Sequence, residues 1–253
     1  MELRRANDER SGPAVVFLPG IVAPAAIRYA PLIKELGAGI QAFTKELEIY
    51  DSVTGRDAYS IDTEVKGLVS AADAAGLSKF YLYGHSAGGA IGVAFASVHS
   101  ERLLGLALDE PGSDYSDETT QFWRDTLDPV LKLPPEERTP VFLAAQVAAG
   151  VQLPPPQPGP PPDWMATRPA GIERFVVAMQ EHVETETAPA FNGPVYYSHG
   201  SLSNPIWLSI RDRLKTRFSN FTVEEYEGLH HMNTSNAAEP ARVAASLRRV
   251  WKL

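Results

Sequence analysis

Apolar residues in this chain fall into short unbroken runs, separated by stretches where they recur at helical spacing. The runs Ala14-Val15-Val16-Phe17-Leu18 and Leu103-Leu104-Gly105-Leu106-Ala107-Leu108 have no polar face, as expected of strands buried on both sides of a parallel sheet. Phe80-Tyr81-Leu82-Tyr83, Pro194-Val195-Tyr196-Tyr197-Ser198 and the segment from Phe221 to Tyr226 also read as strands, and so does Leu47-Glu48-Ile49-Tyr50. Between them, Pro31 to Leu36 and Ile61 to Ala75 show helical periodicity, the second through Ile61, Val65, Leu68, Val69 and Ala72. Ala87 to Val98 is an alanine-rich apolar segment, and Val243, Leu247, Val250 and Trp251 mark a final amphipathic helix. Strands alternating with helices predict an α/β fold on a mostly parallel sheet flanked by helices.

The segment from Gly112 to Pro189 has another character. Tyr115, Phe122, Trp123, Phe142, Trp164 and Met165 are scattered through it. Short helices are readable from Glu118 to Leu131 and Pro140 to Ala149, and a third from Gly171 to Val183 returns to the main sheet. The proline-rich run from Leu153 to Pro162 can be neither regular helix nor central strand, and reads as a rigid connector or a solvent loop.

Composition narrows the function classes. A chain of 253 residues can bury one large α/β core without help. Its net charge of −8 offers no basic footprint, so nucleic acid and anionic membrane surfaces are not expected partners. The absence of cysteine excludes disulfides, thiolate metal sites and a cysteine nucleophile. Charged residues in Met1 to Asp8 stand where a secretion signal would be apolar, and no apolar run is long enough to cross a bilayer; a cytoplasmic protein is the expectation.

The chemistry gathers at strand ends. Gly84-His85-Ser86-Ala87-Gly88 lies between a strand and a helix. A turn so tight needs small residues on both sides of Ser86 and exposes that hydroxyl at the carboxyl end of a buried strand, where the next helix also points its first N–H groups. Asp109-Glu110-Pro111-Gly112 closes the next strand, bringing at least one carboxylate to the same edge. Alternation turns neighbouring residues to opposite faces, which favours Glu110 over Asp109 as the residue facing Ser86. Gly228-Leu229-His230-His231 follows the last strand. His85, His99, His182 and His199 have no comparable context, and no metal-ligand spacing occurs.

Strand, Gly-x-Ser-x-Gly and helix together resemble the nucleophile elbow of the α/β-hydrolases, and the similarity extends from Ala14 onward. The resemblance implies a core domain of residues 1–111 and 190–253 and a helical cap of residues 112–189 inserted after the family's sixth strand. It also implies a short-edged sheet, because the lead before Ala14 is too brief for the family's opening hairpin. Most members carry the triad acid after the glycine of the following strand, where this chain has Ser203 and Asn204 past Gly200. The acid is therefore assigned to Glu110, and the Glu110-Pro111 pair is similar to zearalenone-type lactonases. The family keeps its base after the last strand: His230 matches Gly-x-His and is favoured, His231 matches Gly-x-x-His and stays open. By the same resemblance the backbone N–H groups of Ile21 and Ala87 hold the oxyanion, although Pro19 replaces the family's usual histidine in that loop. Asp51 reads as a structural loop carboxylate.

The function implied by the resemblance is hydrolysis of a carboxylic ester or lactone of a small to medium apolar molecule by a Ser86, His230 and Glu110 triad, with Trp123, Trp164 and Met165 in the pocket wall. No cofactor or metal is called for. Thioester or carbon–carbon hydrolysis with the same triad is one alternative, and ligand binding without turnover another. The oligomeric state is left open, a homodimer included.

Overall fold

The computed structural model describes residues 1–51, 59–153, 162–184 and 190–253. Seven strands form one sheet: β1 (Arg4–Arg5), β2 (Ala14–Leu18), β3 (Gln41–Thr44), β4 (Phe80–His85), β5 (Leu103–Asp109), β6 (Val195–Gly200) and β7 (Phe221–Tyr226). Their spatial order is β1-β3-β2-β4-β5-β6-β7. Only the two-residue β1 runs antiparallel, so the sheet has a short first edge and is otherwise parallel.

Both faces of the central strands are covered, which is why β2 and β5 carry no polar side. Val15, Phe17, Tyr83 and Tyr196 pack against α1 (Ala25–Leu36) and α9 (Pro240–Trp251). Val16, Leu18, Leu82 and Leu106 face the other way, toward α2 (Ile61–Ala74) and α3 (Ala87–Val98). The remaining helices are α4 (Asp117–Leu131), α5 (Pro135–Ala144), α6 (Arg168–Glu181), α7 (Ile206–Arg217) and the single turn α8 (Ser235–Ala238). Among the described residues no helix is long and apolar enough to cross a membrane.

Two expected elements lie elsewhere. The strand beside β2 is Gln41–Thr44, whereas Glu48–Tyr50 is a 3-10 turn. The cause is tertiary: the buried Glu64 carboxylate of α2 accepts the N–H groups of Glu48 (2.9 Å) and Ile49 (3.1 Å), taking them away from any ladder. Asp51 ends this turn with its N–H on the Glu48 carbonyl. The helix expected from Pro140 begins at Pro135, a residue whose fixed φ suits a first helical position, and stops at Ala144. Beyond it Ala148 N–H bonds the Leu202 carbonyl, so the chain there is drawn to the loop after β6. Most of the proline-rich run falls outside the described residues.

Glu64 also accepts the Tyr59 hydroxyl at 2.8 Å, so one carboxylate serves three donors. Replacing Glu64 by Ala strands two buried N–H groups and is expected to lower unfolding free energy by about 2–4 kcal/mol in urea titration. A change under about 0.5 kcal/mol would show that these bonds do not hold the turn.

Candidate active site

Ser86 is built by crowding. Its backbone sits at φ 51°, a left-handed conformation costly for a residue with a side chain. The surroundings enforce it. A Cβ on Gly84 would lie 2.2 Å from the Gly88 carbonyl oxygen, and one on Gly88 would lie 2.3 Å from that of Leu18, so helix α3 packs on β4 and β2 only because both positions are glycine. The turn is tied to β5 and the loop after it by two bonds: Ser86 N–H to the Asp109 carbonyl (3.1 Å), and Gly112 N–H to the Ser86 carbonyl (2.7 Å).

Strand register then brings the acid alongside. His85 pairs with Asp109 across β4 and β5, so the next residues, Ser86 and Glu110, leave the sheet together. Glu110 is also left-handed (φ 46°), which sends its side chain along the carboxyl edge, where it is fully buried. Its Oε1 accepts Gly200 N–H at 2.7 Å and Ser203 Oγ–H at 2.5 Å. Ser203, three residues past the end of β6, thus holds the Glu110 carboxylate in place.

The expected base, His230, is corrected. His231 is the residue between the two: its Nδ1 is 2.7 Å from Glu110 Oε2 and its Nε2 2.9 Å from Ser86 Oγ. A neutral ring with its proton on Nδ1 donates to the carboxylate and accepts from the serine hydroxyl. His230 instead belongs to the tight turn it opens, where its Nδ1 accepts Met232 N–H and its carbonyl accepts Asn233 N–H. Within this turn the two rings take different partners, and only that of His231 reaches Ser86. The His231 ring stacks on Trp207, with centroids 4.6 Å apart and planes 9° from parallel. Trp207 escaped the sequence reading because it lies in the first turn of α7, with no motif around it.

The loop after β2 is pinned at several points. Tyr29 O–H donates to the Leu18 carbonyl, Gly88 N–H to that of Pro19, and Tyr50 O–H to that of Ile21. Among the described residues the N–H groups of Ile21 and Ala87 have no protein acceptor, and both residues border the space beside Ser86. That leaves two donors free for an oxygen anion.

Asp109 has a separate environment on the opposite face. Ser198 Oγ (2.7 Å), Ser235 Oγ (3.2 Å) and Asn236 Nδ2 (2.5 Å) all donate to its buried carboxylate. Burial, and then the Glu110 charge, raise its pKa. His85 Nδ1 meets the Asp109 carbonyl at 3.0 Å, and burial, aided by the Arg28 charge, holds that imidazole well below its ordinary pKa of 6.5.

Two adjoining cavities meet at Ser86. One, of about 190 Å³, is bounded by Gly20, Arg28, His85, Leu143, His231 and Met232. The other, about 20 Å³, is walled by apolar side chains that include Trp123, Phe142, Phe175 and Met179. Trp123 borders this cavity, with its indole N–H on the Gly112 carbonyl at 2.6 Å. Trp164 and Met165 do not: they sit in the short helix Asp163–Thr167 and border neither cavity. A larger surface groove of about 590 Å³ runs between β1 and α1 and includes none of these site residues. Among the described residues no three His, Asp or Glu side chains converge as metal ligands.

Comparison with known proteins agrees with this architecture. Residues 49–154 match a family model described as the alpha/beta hydrolase fold. No curated protein matches the sequence. Among solved structures, MGS-M2, an alpha/beta hydrolase enzyme from a Medee basin deep-sea metagenome library, superposes with a TM-score of 0.73 at 12% identity, covering 100% of this chain and 93% of the other. A thermophilic esterase from Thermogutta terrifontis gives 0.69 at 17% identity, covering 98% and 92%. The enol-lactonase from Burkholderia xenovorans LB400 gives 0.66 at 14% identity, covering 100% and 96%. The chain has the α/β-hydrolase fold.

The buried His85 has a measurable consequence. Its folded pKa lies below the unfolded one, so the unfolded chain binds more protons as pH falls under about 6.5, and stability is lost in that direction. Between about pH 7 and about pH 5.5 such a group costs at most about 1 kcal/mol. Urea midpoints should fall over that range, and less steeply in His85→Gln; equal slopes in the two proteins would contradict the assignment.

Proposed function

We propose that this chain is a serine hydrolase that cleaves carboxylic esters or lactones of small to medium, largely apolar molecules. The observation that carries this reading is the unbroken bond path from Ser86 Oγ through His231 to Glu110. Ser86 Oγ attacks the substrate carbonyl carbon and its proton passes to His231 Nε2, while Glu110 holds the ring by Nδ1–H and stabilises the imidazolium. The carbonyl electron pair moves to oxygen, which the N–H groups of Ile21 and Ala87 receive. Collapse breaks the ester C–O bond, and the leaving oxygen takes the proton from His231. Water, deprotonated by the same ring, then adds to the acyl-serine, releasing the acid and restoring Ser86.

Trp123 of α4, Phe142 of α5 and Phe175 of α6 border the apolar cavity, which supports residues 112–189 acting as a cap that selects the substrate. The Glu110-Pro111 pair, the point of similarity to zearalenone-type lactonases, supports counting lactones within the substrate class.

A fluorophosphonate should label the folded protein stoichiometrically at Ser86, and Ser86→Ala should abolish labelling. An unlabelled intact protein would remove the hydrolase reading. With an uncharged 4-nitrophenyl ester, His231→Ala and Glu110→Gln should each lower kcat/KM by on the order of 10³-fold or more. His230→Ala should cost less than about tenfold, and the reverse ranking of the two histidines would refute the role given to His231.

A further inference from the structure

Arg28 is the feature of the cavity that ester hydrolysis alone does not use. It projects from the first turns of α1 and borders the same cavity as Ser86, His85 and His231. Its Nη2 donates to Thr234 Oγ1, a neutral hydroxyl, and its Nε is buried with no hydrogen-bond partner among the described residues. No carboxylate among the described residues forms an ion pair with it. Along the bonded path the first anion is Asp109, reached only through Thr234 and Asn236.

A single bond to a hydroxyl does not account for a guanidinium. A neutral donor could brace Thr234 without the cost of withdrawing a cation from water, and a partly buried cation whose counter-charge, that of Asp109, acts on it without direct contact is poorly compensated until an anion arrives. Arginine presents several N–H donors in a plane that matches a carboxylate. The chain as a whole carries a net charge of −8, so long-range attraction does not favour anionic substrates and a local cation is needed to hold one.

Resting on the hydrolase reading above but narrowing its substrate from a largely apolar molecule to one with a charged end, we infer that Arg28 is a specificity residue, and that the preferred substrate carries a carboxylate separate from the carbonyl that Ser86 attacks. Half-esters of dicarboxylic acids and carboxylate-bearing lactones form this class. The cavity of about 190 Å³ is small beside ordinary ligand sites of about 300–1,000 Å³, which suits a compact substrate with its second carboxylate close to the reacting one.

The test compares the mono(4-nitrophenyl) ester of glutaric acid with 4-nitrophenyl pentanoate, which has the same chain length and no charge. The intact protein should favour the anionic ester by about tenfold or more in kcat/KM; Arg28→Gln should erase that ratio, and Arg28→Lys should keep part of it. No discrimination by the intact protein, or a ratio untouched in Arg28→Gln, overturns the inference. Calorimetry supplies a readout independent of turnover. Glutarate should bind Ser86→Ala and fail to bind Ser86→Ala with Arg28→Gln, with near-UV circular dichroism confirming that each is folded. Equal, Arg28-dependent binding of pentanoate would mean that Arg28 holds the product carboxylate instead, and binding of inorganic phosphate without glutarate would rule out the carboxylate class. If Ser86 resists fluorophosphonate while glutarate still binds through Arg28, the hydrolase reading fails and the anion site stands; absence of glutarate binding removes the site whatever the labelling shows.

Discussion

Everything at the site depends on two adjacent parallel strands that end in register, each closing with a residue forced into left-handed backbone. Ser86 and Glu110 come directly after the paired residues His85 and Asp109 and have φ values of 51° and 46°. Such conformations cost about 1–3 kcal/mol each outside glycine and persist only where packing and bonds over-determine them. Here the tight approach of α3 to β2 and β4, and the bonds from Ser86 and Gly112 across the turn, supply that constraint. The hydroxyl and the carboxylate are placed by the sheet before any loop contributes.

The His231 ring comes from a loop, so its placement needs separate support. Trp207 covers one face of the His231 ring, and Asp109 binds Ser235 and Asn236 just downstream of it. One pair of neighbouring acids therefore does two jobs on opposite faces of β5: Glu110 holds the imidazole, and Asp109 holds the segment that carries it. Two carboxylates side by side in a buried region would repel strongly if either lacked donors. Each has its own set, Gly200, Ser203 and His231 for Glu110 and the Ser198, Ser235 and Asn236 group for Asp109.

The two cavities that meet at Ser86 differ chemically. Apolar side chains from α4, α5 and α6 lie on one side, while Arg28 of α1 introduces a cation on the other. A molecule with one apolar and one anionic end would be oriented there by its own polarity. Orientation of this kind converts binding energy into correct positioning of the reacting carbon.

Local chemistry determined a good deal. The unbroken apolar runs specified buried parallel strands, because a strand covered on both faces has no polar side to show, and the small residues around Ser86 specified the elbow, because nothing larger fits between helix and strand. The alternation of Asp109 and Glu110 likewise separated two carboxylates by face. Tertiary structure decided the rest. Whether His230 or His231 turns inward depends on where the chain leaves β7 and how the next turn closes, and a slip of one residue exchanges them. The strand at Gln41–Thr44 prevailed over Leu47–Tyr50 because a carboxylate from α2, distant in sequence, captured the latter's N–H groups. Trp207, Ser203 and Arg28 acquire meaning only from what the folded chain brings beside them, since a stacking partner, a hydrogen bond or an uncompensated charge is a relation between residues that no stretch of sequence contains.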